Sequence, residues 1–430
     1  MKNYTKYKDS QLGWLGKIPE HWEVKKSKYL FDITKRISGE LGHNILSITQ
    51  KGIKIKDTES GGGQLSMDYS KYQIVDKGDF GMNHMDLLTG YVDISKYDGV
   101  MSPDYRVFKL KDKESDARFM LYLFQKGYWD KLFFPLGQGS SELGRWRLPS
   151  DEFKLFKFPV PSKTEQITIA DFLDNQTTQI KKFIELKEKT IELLKERKTA
   201  IINQAVTKGL DPNVEMKDSG VDWLGEIPKH WEVKKLKYLS KYIKTGTTPS
   251  TKVKDYFSDG EIEWFTPGDF KNVFLKNSKR KLSLQALKDK EIKILEEYSI
   301  YLIGIGGTLG KVGVSAEKGS SNQQINISKF KDDVINYLFG LYQFQTIGKE
   351  LIKWVNYTTM PIFNQSQQKE LVFVYPDKSE QKKIVDFIEK NSYEIDESIF
   401  LAEKEITIIK EYQQSLISEV VTGKIDVREK

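Results

Sequence analysis

Residues 9–30 read DSQLGWLGKIPEHWEVKKSKYL and residues 218–239 read DSGVDWLGEIPKHWEVKKLKYL, with 16 of 22 positions identical at a constant offset of 209. The chain is written twice, and every other reading follows from that duplication. Downstream, PSKTEQITIADFLDNQ (161–176) matches PDKSEQKKIVDFIEKN (376–391), and AVTKGLD (205–211) matches VVTGKID (420–426), both at an offset of 215. Two weaker echoes lie between these anchors: TGYVDIS (89–95) with LGKVGVS (309–315), and Gly99 with Gly319, at an offset of 220. The drift in offset records insertions and deletions within two strongly diverged interiors. The order is globular segment, helix, globular segment, helix.

Residues 164–207 contain no proline and no glycine, and Thr164-Glu165-Gln166 after Pro161 makes an N-cap-like start. A register alternating three and four residues places Leu173, Ile180, Ile184, Ile191, Leu194, Ile201 and Ala205 on one stripe. Shifted by 215, the same register collects Ile388, Ile395, Ile399, Ala402, Ile406, Ile409, Leu416 and Val420. A seam sustained over about five heptads predicts a coiled coil rather than an ordinary surface helix. With both copies in one chain, antiparallel pairing with each other is the economical arrangement. The expected fold is α+β: two pseudo-symmetric α/β globular domains separated by two long antiparallel α-helices that form a coiled coil. The expected boundaries are a first globular domain at 1–163, a spacer helix at 164–207 and a linker at 208–217. The second globular domain spans 218–378, the second spacer helix 379–422 and a C-terminal tail 423–430. Gly209 and Pro212 stop the first helix. Two similar modules on a spacer of about 66 Å match the geometry of dimeric DNA readers, whose half-sites lie ~34–36 Å or a multiple apart.

The chain of 430 residues carries 68 basic and 61 acidic side chains, a net charge of +7. Divided along the repeat, residues 1–163 carry +6, 164–217 are neutral, 218–378 carry +5 and 379–430 carry −4. Attraction to phosphates would therefore act through the two globular segments and not through the helices. With no cysteine, disulfides, thiolate metal sites and cysteine nucleophiles are excluded, and four scattered histidines leave little for a metal centre. No apolar run approaches ~18 residues and no signal-peptide core follows Met1, so a cytoplasmic protein is expected.

The glycine-rich IGIGGTLGKVG (303–313) misses the phosphate-loop pattern, because Ile305 stands where a glycine is required and Val312 follows Lys311. It reads instead as a strand and turn bordering a binding face. The Asn-Pro-Pro-Tyr motif of a base-methylating enzyme is absent, and no nuclease-like acidic pairing stands out. His21, His230, Trp14, Trp22, Trp223 and Trp231 recur between the copies and are expected to pack each module against its helix. No catalytic residue and no metal ligand is assigned.

Four motifs in order within a duplicated frame carry a resemblance to a known family. They are the repeated WLGxIPxHWExxKxKYL, KTGTTPSTKVKDYFSDGEIEWFTPGDF (244–270), GDFGMNHMDLLTGYVDISKYDGVMSPDY (78–105) and the two P-x-K-[TS]-E-Q helix starts. Over nearly its whole length the sequence resembles the specificity subunit of type I restriction–modification enzymes. The resemblance implies two target-recognition domains, each reading one half of a bipartite, asymmetric site on double-stranded DNA. It implies helices that set the unread spacing and dock two methyltransferase (modification) subunits, and it allows restriction/motor subunits to join. The chain would carry no cofactor; S-adenosylmethionine, Mg and ATP would sit on the partner subunits. Residue chemistry nominates the base readers, since bidentate donors and acceptors on loops read base edges. In the first module these are Asn83, His84, Arg106, Gln138, Ser140, Arg145 and Arg147. In the second they are Thr247, Thr248, Lys252, Lys311, Asn322, Gln323, Thr358, Asn364 and Gln365. The rival readings are a coiled-coil protein–protein adaptor with an incidental basic surface, and a nucleotide-binding enzyme built on the glycine-rich segment.

Overall fold

The computed structural model describes residues 2–57, 68–140, 145–258, 260–355 and 360–428, apart from the side chains of Ser140, Arg145 and Ile352. The chain divides into two compact units, Met1–Glu188 with Glu403–Lys430, and Lys189–Ala402. The division falls inside both long helices, so the end of each helix belongs to the core of the module it enters.

In unit 1, β1 (Phe31–Thr34), β2 (Phe80–Met82), β3 (Val92–Ile94) and β4 (Arg106–Leu110) form an antiparallel sheet in the order β1–β4–β2–β3. A second sheet holds a parallel pair, Ile45–Thr49 beside Gly99–Met101. Helix α1 (Ala117–Trp129) starts where Asp116 accepts hydrogen bonds from the amides of Arg118 and Phe119. The hairpin of β5 (Gln138–Ser140) and β6 (Arg145–Arg147) and the short α2 (Ser150–Leu155) lead to the long α3 (Lys163–Lys208). The core is aromatic, with the Phe108 ring 5.0 Å from those of both Phe80 and Phe153.

Unit 2 repeats the plan. Strands β7 (Ser240–Thr245), β8 (Ser299–Ile303), β9 (Val312–Ser315) and β10 (Ile325–Phe330) pair in the order β7–β10–β8–β9, the same first–fourth–second–third sequence. The parallel pair recurs between Ile262–Phe265 and Gly319–Ser321. Helix α4 (Tyr337–Trp354) and the short α5 (Gln365–Lys369) then precede the second long helix, α6 (Lys378–Val421). The glycine-rich segment is the strand–turn–strand of β8 and β9.

The duplicated motifs find their partners at the helix ends. In unit 1, Glu165 at the start of α3 accepts hydrogen bonds from Tyr4 Oη (2.8 Å) and Trp22 Nε1 (3.1 Å) and pairs with His21 Nε2 (2.8 Å). In unit 2, Glu380 at the start of α6 pairs with His230 Nε2 (2.7 Å) and accepts from Trp231 Nε1 (3.1 Å). The following glutamines are also equivalent. Gln166 donates to the Pro161 and Glu114 carbonyls and accepts from the Asp116 amide; Gln381 donates to Pro376 and Val334 and accepts from Asn336. Asp116 and Asn336 are the N-caps of α1 and α4, so one buried amide side chain ties two helix starts together in each module. The tryptophan–histidine pair and the E-Q pair are thus two halves of one clamp.

Within each unit the long helices run antiparallel. In unit 1, Ile169, Ala170 and Leu173 share a core with Leu416, Ile417 and Val420, while Lys187 pairs with Glu405 further along. In unit 2, Ala205 and Val206 share a core with Ile384 and Ile388, while Lys198 pairs with Asp396. Along α3, Leu173, Ile180 and Ile191 are buried and Ile184, Leu194 and Ile201 half-buried. Along α6, Ile388, Ile395, Ile406 and Leu416 are buried and Ile399 and Ile409 half-buried. Helix α3 extends one residue beyond each end of 164–207, and α6 lies one residue earlier than 379–422. In α6 the earlier start follows from Asp377, whose carboxylate accepts from the amides of Ser379 and Glu380.

Candidate nucleic-acid interface

Three segments of unit 1 converge. Asn83 and His84 form the turn after β2, Arg106 opens β4, and Gln138 and Arg147 face each other across the β5–β6 hairpin. The amide of Leu148 donates to the His84 carbonyl (2.9 Å), and Tyr128 Oη donates to that of Asn83 (2.7 Å). Trp146 Nε1 anchors the hairpin to the Phe134 carbonyl at 2.7 Å. Gln138 and Arg147 are exposed; Ser140 and Arg145 pair across the hairpin through their backbones.

Arg106 is placed differently from the sequence expectation. It is 5% exposed, its guanidinium lies 4.8 Å from the Phe153 ring centre, and Nη2 donates to the Leu148 carbonyl (2.9 Å). A side chain so enclosed supports a loop instead of reaching a base edge: Nη2 is shared between the Leu148 carbonyl and Ser150 Oγ (3.3 Å) inside the module. Burial, together with the positive charge of Arg147, pushes its pKa down to about 10.

His84 shares this environment. Burial, then the charges of Arg106 and Arg147, push its pKa down to about 3. Unfolded, the imidazole titrates near 6.5, so between these values the unfolded chain binds a proton that the folded module refuses. Unit 1 is therefore expected to lose stability as the pH falls from 6.5 toward 3. Urea midpoints at neutral and acid pH test this. His84→Gln should flatten the decline, and parallel declines for wild type and variant would contradict the assignment.

In unit 2 the loop after β7 meets the loop before β10. The Thr247 amide donates to the Ser321 carbonyl (2.8 Å), and Thr248 Oγ1 donates to Gln323 Oε1. Thr247, Thr248 and Gln323 are exposed and form one polar cluster. Asn322 is only 8% exposed, with both amide atoms bonded to Gln324, so it shapes the turn. Asn364 caps α5 in a capping box with Gln367, and Gln365 Nε2 donates to the Ile243 carbonyl. Lys252 is exposed. Lys311 lines a separate cleft of about 970 Å³ together with Lys271 and Lys349. Thr358 lies outside the described residues. Lys271 and Lys349 escaped the sequence reading because neither sits in a recognisable loop motif; burial holds the Lys349 amine below the usual lysine range.

Among the described residues no cluster of histidine and carboxylate side chains could hold a metal ion, and no helix is long and apolar enough to cross a membrane. The two modules thus present polar and basic loops on a shared frame, with different side chains in each.

Comparison with known proteins agrees with that frame. The family model for the type I restriction modification DNA specificity domain matches residues 19–196 and again 228–400. The putative type I restriction enzyme MjaX specificity subunit of Methanocaldococcus jannaschii is 23% identical over 432 residues, covering 96% of each chain. The MjaIX specificity subunit of the same organism is 32% identical over 165 residues, which span 37% of this chain and 38% of that relative. Among solved structures, a chain from a study titled for complex assembly and conformational transition of the type I R-M system superimposes with a TM-score of 0.70. It is 11% identical, and the match covers 95% of this chain and 99% of that one. Both copies of the duplicated frame match the same family model, and the chain belongs to the type I restriction modification DNA specificity family, as the specificity subunit of such a system.

Proposed function

We propose that each module reads one half of a bipartite, asymmetric DNA site, and that the long helices set the unread spacing and dock two methyltransferase subunits. The carrying observation is a repeated sheet order whose loops differ: a hairpin bearing Gln138 and Arg147 in unit 1, a threonine–glutamine cluster in unit 2. One frame with two loop sets suits two unlike half-sites. The chain is non-catalytic. S-adenosylmethionine belongs on the methyltransferase subunits, and ATP and Mg on a restriction/motor subunit where one joins.

The helix positions that face outward supply the docking surface. Leu186 (67% exposed) and Leu401 (52%) are repeat partners at offset 215, as are Leu193 and Ile408 (54% each). Leu186 and Ile408 lie in unit 1, close in sequence to the Lys187–Glu405 ion pair; Leu193 and Leu401 lie in unit 2, near Lys198–Asp396. Exposed apolar side chains kept in both copies favour a repeated protein contact. Native mass spectrometry of the chain with its methyltransferase subunit should give two methyltransferases per chain. Leu193→Asp with Leu401→Asp should remove one of them. A single methyltransferase on the unmodified chain, or a 2:1 complex indifferent to these changes, would contradict the reading.

A further inference from the structure

We propose that Arg106 and Asn326 are equivalent positioning residues, each fixing the segment through which its module distinguishes a half-site. This rests on the two-module reading above. The two residues occupy the same place in the repeated sheets. Arg106 lies opposite Met82 across β4 and β2, and Asn326 lies opposite Leu302 across β10 and β8, an offset of 220 for both pairs. Both are enclosed, at 5% and 3% exposure.

They also hold the same partner. Arg106 Nη2 donates to the Leu148 carbonyl at 2.9 Å, and Asn326 Nδ2 donates to the Phe363 carbonyl at 2.8 Å. Leu148 and Phe363 are repeat partners at offset 215 and are both buried. Their amides are pinned as well: Leu148 to the His84 carbonyl (2.9 Å) and Phe363 to the Gly304 carbonyl (2.7 Å). In each module one residue is therefore held at both its N–H and its C=O. It sits beside a candidate reader in each module, Arg147 before Leu148 in unit 1 and Gln365 two residues after Phe363 in unit 2.

The residue types differ because the gap differs. A Cβ at Gly304 would lie 2.5 Å from the Phe363 carbonyl oxygen and 2.8 Å from Asn326 Nδ2. In unit 2 the turn closes tightly over a short amide, whose oxygen also accepts from Thr245 Oγ1 (2.8 Å). In unit 1, where the turn carries His84, the longer guanidinium makes the same bond. His84 with Arg106 and Gly304 with Asn326 are two solutions to one geometric requirement, so Asn at 106 should be too short to replace Arg.

The test uses the full chain assembled with its methyltransferase subunit, acting on a DNA library randomised in both half-sites, with methylated products sequenced. Arg106→Ala should relax base preference in one half-site by about tenfold, the scale of one good base contact, and leave the other half unchanged. Asn326→Ala should do the mirror image. Arg106→Lys, which keeps a donor, should relax preference less than Arg106→Ala, and Arg106→Asn should resemble Arg106→Ala. General loss of folding would lower the methylation rate without shifting preference in one half alone. If both variants keep wild-type preference, or relax both halves together, the positioning role is refuted. Should Arg106→Ala fail to assemble, Arg106→Lys decides, and unchanged preference there refutes the role. A wild-type complex without two-part preference would instead refute the underlying two-module reading.

Discussion

Glu165→Ala is expected to lower the unfolding free energy of unit 1 by about 4 kcal/mol, because it strips a buried acceptor from two donors that cannot reach water. The Glu165 side chain is 3% exposed, Trp22 is fully buried and Tyr4 is 5% exposed. Burial, reinforced by the bond to Glu165, keeps the Tyr4 hydroxyl protonated well above its ordinary range, so it remains a donor. The counterpart Glu380→Ala should cost less, about 2 kcal/mol. Its side chain is 28% exposed, so water can replace part of what is lost. The residue aligned with Tyr4 is Asn213, so the third donor is absent from the repeat. Urea titration of the two variants measures the difference, and equal midpoints for Glu165→Ala and Glu380→Ala would show that the repeated clamp carries equal load in both units.

The helix ends make the second large prediction. Gly209 and Gly423 follow the two long helices with φ of +74° and +72°, the left-handed conformation that terminates a helix. Their surroundings differ. A Cβ at Gly423 would lie 2.3 Å from Pro19 Cδ and 2.7 Å from its Cγ, and a proline ring in a paired strand cannot swing away. At Gly209 the nearest atom would be 3.4 Å distant, on Trp231. Gly209→Ala should therefore cost only the left-handed strain, about 1 kcal/mol. Gly423→Ala adds a steric collision, for a total of about 3 kcal/mol or more. Thermal unfolding of the two variants separates them, and indistinguishable melting shifts would contradict the geometry.

The duplication, the two helices and their antiparallel pairing were legible because they rest on local periodicity and on repeated words. The seam residues from Leu173 to Leu416 are buried or half-buried, as a sustained apolar stripe requires. Trp22, Trp231, His21 and His230 were legible as residues that hold each module to its helix. Their carboxylate partners were not, since Glu165 lies 144 residues from His21 and only the folded chain joins them. The candidate readers were the least legible. Arg106 looks like a surface arginine in sequence, and its burial depends on a strand pairing and on a carbonyl 42 residues away. The correspondence of Leu148 with Phe363, and of His84 with Gly304, stayed hidden because insertions move the offset from 220 to 215 between them. Asn322 and Asn364 are polar residues near turns, a signal shared by base readers and by structural caps; their hydrogen bonds to Gln324 and Gln367 distinguish the two.

On the function proposed, this chain chooses a divided DNA sequence for a partner to methylate. The most direct measurement is a base-resolution map of DNA methylation in cells expressing the chain with its methyltransferase subunit, beside cells expressing the methyltransferase alone. One motif made of two unlike specified blocks around an unread spacer is expected, present with the chain and absent without it. A single undivided motif, or methylation that persists unchanged without the chain, would contradict it.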